Sequence, residues 1–196
     1  MEPFIELKAL VERSSAFGER TTTLGAHLYG HVPHLAPEAW LHSLYAGLLT
    51  QELQSIELKC GRPIPSVFRD FLSHTNGINL FSGHLYIYGM RGTYERTGDA
   101  AWQPYALEVP NTQERPRDAK ASYFFVGGYF DDGSKLVIDD ETSKVLRLPQ
   151  RRAGPVLTEW PDFWSMLISE AHRLSRLFDG AGRLIDESLS TAPSST

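Results

Sequence analysis

"VGGYFDDGSKLVIDDETSKV", residues 126–145, carries Asp131, Asp132, Asp139, Asp140 and Glu141 within eleven positions, and its reading decides the fold. Carboxylates this dense fit three arrangements: a metal cage, a pair for acid/base catalysis, or a set of chain reversals. A helix–loop–helix calcium site needs acids at alternating positions, a glycine and a closing glutamate. Here Asp131 and Asp132 are adjacent, as are Asp139 and Asp140, so on an extended chain each pair points to opposite sides. No second copy of the cluster exists, and no His-x-His or His-x-x-x-His pair lies beside it. The turn reading accounts for more. "DDGS" fits a type I turn whose glycine takes positive φ and starts a G1 bulge. "DETSK" joins the next two apolar runs, with short side chains able to bond local backbone N–H groups. "SYFFVGGYF", "KLVIDD" and "KVLRLP" then become three short strands. Such close spacing gives antiparallel hairpins, because a parallel crossover needs a dozen or more residues. Gly127-Gly128 leads into a strand, which argues for a bulge or a close backbone approach rather than a phosphate cradle.

Toward the C-terminus, a basic loop "QRRAGP" precedes "WPDFWSMLISEAHRLSRLFDG". That run sets Phe163, Leu167, Ala171, Leu174 and Phe178 on one helical face, with Gly180 after it. The tail "ESLSTAPSST" is Ser/Thr-rich and is expected to be disordered. Toward the N-terminus, residues 91–121 hold three prolines and a short helix around "ALEVPNTQER". "GHLYIYGM" alternates Leu85 and Ile87 against Tyr86 and Tyr88, which predicts a strand. "IPSVFRDFLSHTNG" predicts a helix with Val67, Phe68, Phe71 and Leu72 on its apolar face and Asn76-Gly77 at a left-handed end. "APEAWLHSLYAGLLTQELQSIELKCG" reads as one longer helix opened by Pro37 and stopped at Gly61, with Trp40, Leu44, Leu48, Leu49, Leu53 and Ile56 near helical spacing. "GERTTTLGAHLYGHVPHL" reads as an irregular connection, and Glu2 to Phe17 as a short helix.

At 196 residues, 41% hydrophobic and 22% charged, the chain is sized for one globular domain with a substantial core. A formal charge of −5 argues against a general nucleic-acid binder, which needs a basic face. Cys60 is the lone cysteine, so no internal disulfide forms, and it reads as a buried thiol. The start "MEPFIELKAL" lacks a basic segment followed by an apolar run, and no stretch approaches the ~20 apolar residues that cross a bilayer. A cytoplasmic location is expected. His27, His31 and His34 have no cysteine or carboxylate support, and His42 faces away from its helix's apolar stripe. No Gly-x-Ser-x-Gly elbow, phosphate-binding loop or dinucleotide fingerprint occurs. The expectation is therefore no catalytic centre, no metal and no cofactor. Candidate partner-binding residues are Tyr86 and Tyr88 on one strand face, Trp102 beside Pro104 and Tyr105, and Asp131, Asp132, Asp140 and Glu141 on hairpin tips.

The order of these pieces resembles the SUKH superfamily, the Smi/Knr-like fold shared by a yeast cell-wall-synthesis regulator and many bacterial proteins. "IELKCGRPIPSVFRDFLSHTNG" is similar to its opening segment at Gly61, Ile64, Pro65, Phe68, Phe71, Leu72, Asn76 and Gly77. "GHLYIYG" is similar to the next strand. "YFFVGGYFDDGSKLVIDDETSKVLRL" resembles the strand group at Phe125, Gly127, Gly133, Leu136, Asp139 and Val145, and "WPDFWSMLISEA" the closing helix. The resemblance spans roughly Leu53 to Leu177. It departs from the pattern where the glycine pair is shifted and where "TSK" replaces a Gly-bearing turn. It implies a single α+β domain, a mostly antiparallel β-sheet flanked by helices. That domain would span 36–180, with 1–35 an N-terminal extension and 181–196 a flexible tail. It also implies a non-enzymatic protein-binding module. Many bacterial members are immunity proteins that neutralise a cognate toxin, often a nuclease, so the acidic tips would face a basic cleft. A regulatory interaction scaffold in cell-envelope or signalling pathways is the alternative.

Overall fold

The acidic stretch folds as two consecutive hairpins, and the rest of the molecule extends the same sheet on both sides. The computed structural model describes residues 2–195. Its strands are β1 (Glu19–Thr21), β2 (His27–His31), β3 (Trp40–Ala46), β4 (Thr75–Leu80), β5 (Leu85–Ile87), β6 (Tyr123–Tyr129), β7 (Lys135–Asp139), β8 (Val145–Leu148) and β9 (Thr158–Trp160). They form one nine-stranded sheet in sequence order, each antiparallel to the next. The helices are α1 (Pro3–Glu12), α2 (Thr50–Cys60), α3 (Ser66–His74), α4 (Glu108–Asn111) and α5 (Phe163–Ser175). The chain is thus a single α+β domain with a flanked antiparallel sheet.

Four of the helices share one core with the inward side chains of the strands. Leu7 and Val11 of α1, Ile56 of α2, Phe68 and Phe71 of α3, and Leu167 of α5 are all fully buried. At its centre the Phe163 ring meets Phe68 edge-on at 5.3 Å and Phe71 at 5.1 Å, the arrangement aromatic quadrupoles favour. Asp162 caps α5 by accepting the Ser165 N–H at 2.8 Å. The opposite face of the sheet carries smaller clusters. Tyr123, Phe125, Val137, Leu146 and Leu148 lie under the loops bearing Ala119 and Ala153. Ala26, Leu28 and Tyr45 lie under Trp40 and Trp102.

Several sequence expectations change. Trp40–Ala46 is β3 rather than the first turns of a helix, and α2 begins only at Thr50. His42 is accordingly buried, its ring edge-on to Phe81 at 4.7 Å and its Nδ1 accepting the Phe81 N–H at 3.4 Å. The connection expected to be irregular contains β1 and β2. Residues 1–35 are therefore not an appendage: their described part supplies two strands and α1 to the common sheet and core. Asn76-Gly77 lies inside β4 rather than at a helix end, though Gly77 does take the positive φ (+76°) anticipated for it. β9 precedes the last helix, where no strand was expected. The C-terminal run lies back against the molecule, with Thr191 and Ala192 buried.

Candidate functional site

Register decides what the outer face of the central strands presents. Tyr86 of β5 pairs with Gly128 of β6, and Gly128 pairs with Lys135 of β7, so these three share one face in a row. Because Gly128 has no side chain, the Tyr86 phenol can lie over it. A methyl group there would sit 2.5 Å from the Ser134 carbonyl oxygen and 2.8 Å from the Tyr86 hydroxyl. Gly127 is equally confined, its would-be Cβ 2.3 Å from the Tyr86 carbonyl, and the ladder shifts register between Phe125 and Gly127. The glycine pair is a site of close backbone approach, and the bulge falls just before it, at Val126.

One wall of a groove is built by the segment after β5. Gly89 donates to the Tyr105 carbonyl at 3.0 Å, and Leu107 donates to the Gly89 carbonyl at 2.9 Å, so this stretch runs parallel alongside. The Asn76 amide grips Met90 from both sides, accepting its N–H at 2.6 Å and donating to its carbonyl at 2.8 Å. Asn111 performs the same exchange with Phe125 at 2.9 and 2.8 Å, fixing α4 against β6. Gln103 accepts the N–H groups of Gly92 and Thr93 and holds the 91–105 loop closed.

Between these walls lies a cavity of about 660 Å³, within the roughly 300–1,000 Å³ range of ligand pockets. The Tyr86 ring meets Tyr88 at 5.5 Å and Tyr105 at 4.9 Å, both edge-on. Tyr94 and Phe130 form part of the exposed rim, and Arg91 stacks on Tyr94 at 5.3 Å. The floor holds Lys135, whose ammonium donates to the Tyr88 hydroxyl at 3.1 Å. Burial lowers the Lys135 pKa, with Glu114 opposing from the same groove. Burial raises the pKa values of Tyr86 and Tyr88, so both phenols stay neutral at physiological pH.

Among the sequence-derived candidates, Tyr86 and Tyr88 enter this groove, while Trp102 packs elsewhere, on the Ala26, Leu28 and Tyr45 cluster. The acidic residues do not make one surface. Asp131 and Asp132 sit at one end of β7 and Asp140 and Glu141 at the other, about 16 Å of strand apart. Most are engaged within the chain. Asp131 accepts from the Ser190 hydroxyl of the tail. Asp132 pairs with Arg147, which is 4% exposed, and caps the Ser134 N–H at 2.9 Å. Burial opposes ionisation of Asp132, but the Ser134 and Arg147 contacts outweigh it and hold its pKa below the usual value. Asp140 accepts from Arg62 at 2.9 Å, and Arg62 also holds the Ala121 carbonyl. Asp139 is buried and accepts the Glu141 N–H at 3.2 Å, closing the second hairpin. Glu141 itself projects at that tip, exposed.

The tail is held by the same residues. Arg147 donates to the Pro193 carbonyl, His84 bonds Thr191 at 2.8 Å, and Arg173 donates to the Thr191 carbonyl at 2.6 Å. Arg173 also clamps Glu170, whose carboxylate accepts the Tyr129 hydroxyl at 2.7 Å. Among the described residues no group of three or more His, Cys, Asp or Glu side chains is placed to hold a metal. The Cys60 thiol is buried, its pKa pushed up to about 12 chiefly by that burial and then by Glu108, so it carries almost no thiolate at neutral pH. No helix is long and apolar enough to cross a membrane among the described residues. No protein-family model matches the chain, and a search of the curated proteins finds no match.

The groove residues that sequence reasoning missed are Tyr94, Tyr105, Phe130, Arg91, Arg96 and Lys135. Lys135 was within reach. The "DDGS" turn fixes the β6–β7 register and so places Lys135 opposite Gly128, beside Tyr86.

Proposed function

We propose that this chain is a non-enzymatic protein-binding module of the SUKH kind, an immunity protein that neutralises a cognate toxin by seating part of it in the tyrosine-lined groove. One observation carries this reading. The exposed large aromatic side chains among the described residues are Phe17, Tyr94, Tyr105 and Phe130, and all but Phe17 line that groove. Tyrosine and arginine dominate the energetic centres of protein interfaces, since they offer large rigid area with a polar tip. The family reading takes its support from the helices α2, α3 and α5 and the strands β5 to β8, which fall on the segments that resemble helices and strands of that family. The acidic tips are not part of the proposed surface, because Asp131 binds Ser190 of the tail, Asp132 pairs with Arg147 and Asp140 with Arg62.

Co-expression with the toxin encoded beside this gene tests the reading. The wild-type chain should rescue growth, and Tyr94→Ala combined with Tyr105→Ala should abolish rescue with folding intact. Truncating two such aromatics costs about 2 kcal/mol or more each where they are central to an interface. Absence of rescue by the wild-type chain removes the immunity reading. Full rescue by the double variant moves the binding surface elsewhere.

A further inference from the structure

The charge of the groove is opposite to that of the molecule. The chain carries −5 overall, yet the groove is lined by Arg91, Arg96 and Lys135 against a single acid, Glu114. Elsewhere Arg115 bonds the Tyr123 and Lys120 carbonyls, but the other half-buried and buried arginines have carboxylate partners: Arg62 with Asp140, Arg69 with Glu57, Arg147 with Asp132, and Arg173 with Glu170. The groove cations do not. Among the described residues Lys135 makes no ion pair, and its ammonium, with three donors, bonds the Tyr88 hydroxyl. Arg91 bonds the Thr93 and Pro104 carbonyls rather than a carboxylate, which fixes its guanidinium at the groove wall without neutralising it. A partly buried site of net positive charge bordered by aromatic rings selects a ligand with negative charge and apolar surface together.

We propose that the groove takes an acidic segment of the partner protein, its carboxylates drawn to Lys135, Arg91 and Arg96 and its apolar residues laid on Tyr94, Tyr105 and Phe130. The proposal rests on the groove being the partner surface. It favours a peptide over a nucleic acid, because the net charge of −5 repels a long polyanion while a short acidic segment meets only the local field.

Panning random displayed peptides against the full chain reads the preference directly. The expected result is enrichment of peptides rich in Asp and Glu with interspersed apolar residues, bound more weakly as salt rises. Arg96→Glu, on an exposed loop, should weaken the enriched peptides about tenfold, and Lys135→Gln should weaken them as well. Enriched peptides that need Tyr94 and Tyr105 but show no acidic bias overturn this proposal and leave the groove reading standing. If no peptide depends on Tyr94 or Tyr105, the groove reading falls too. Free succinate binding as tightly as the peptides assigns the site to a small anion and overturns the proposal.

Discussion

His42 makes the most quantitative test of the packing. It is fully buried in β3, and burial lowers its pKa from 6.5 to about 3. Over that interval the unfolded chain binds a proton that the native state refuses. Stability is therefore complete above pH 6.5, falls as the pH drops below it, and the loss is finished near pH 3. With those two values, linkage gives a loss from His42 alone of about 2.5 kcal/mol between pH 7 and pH 4.5. Replacing the ring by glutamine keeps an acceptor for the Phe81 N–H and removes the titration. Urea unfolding of wild type and His42→Gln at both pH values supplies the comparison, and every other titrating group cancels in the double difference. The variant should be less stable at pH 7 but lose about 2.5 kcal/mol less on acidification. Parallel losses, within about 1 kcal/mol, would refute the claim that the strand excludes the proton.

Two further outcomes follow from the site and the tail. Gly128→Ala should lower stability by about 1–3 kcal/mol, because the new methyl meets the Ser134 carbonyl and the Tyr86 phenol at less than van der Waals distance; an unchanged urea midpoint contradicts the register described. Ending the chain after Leu189 strips Arg147 and Arg173 of the Pro193 and Thr191 carbonyls. That should lower the melting temperature by about 5–10 °C, as expected for a loss of about 2–3 kcal/mol in a chain of this length.

The hairpins around β7 were legible because their signals are local. Gly133 takes the positive φ (+68°) that a G1 bulge needs, and the flanking runs have the length and residue types of strands. β3 was misread for a physical reason. Leu41, His42, Ser43, Leu44 and Tyr45 are all buried, because helices cover one face and the 91–105 loop region the other. A strand covered on both sides has no alternation, and Trp40, Leu44 and Leu48 then mimic helical spacing. β1 and β2 exist through their pairing with β3, a contact no local pattern announces. The acidic residues illustrate a second limit. Their turn geometry was readable, but their partners Ser190, Arg147 and Arg62 lie far along the chain, so their internal role was not. The groove divides in the same way: Tyr86 and Tyr88 declared themselves by alternation, whereas Tyr105 joins them through the parallel bridge at Gly89.

An open sheet must stop at two borders, and unpaired backbone along a border invites other chains to add on. Both borders are short here: β1 and β9 are three residues each. The outer one, Glu19-Arg20-Thr21, is exposed throughout, and Arg20 reaches back to Asp99. A visiting strand would find only three residues to pair with and would have to bury charge beside them. This gives the protein resistance to edge-to-edge self-association without closing the sheet into a barrel.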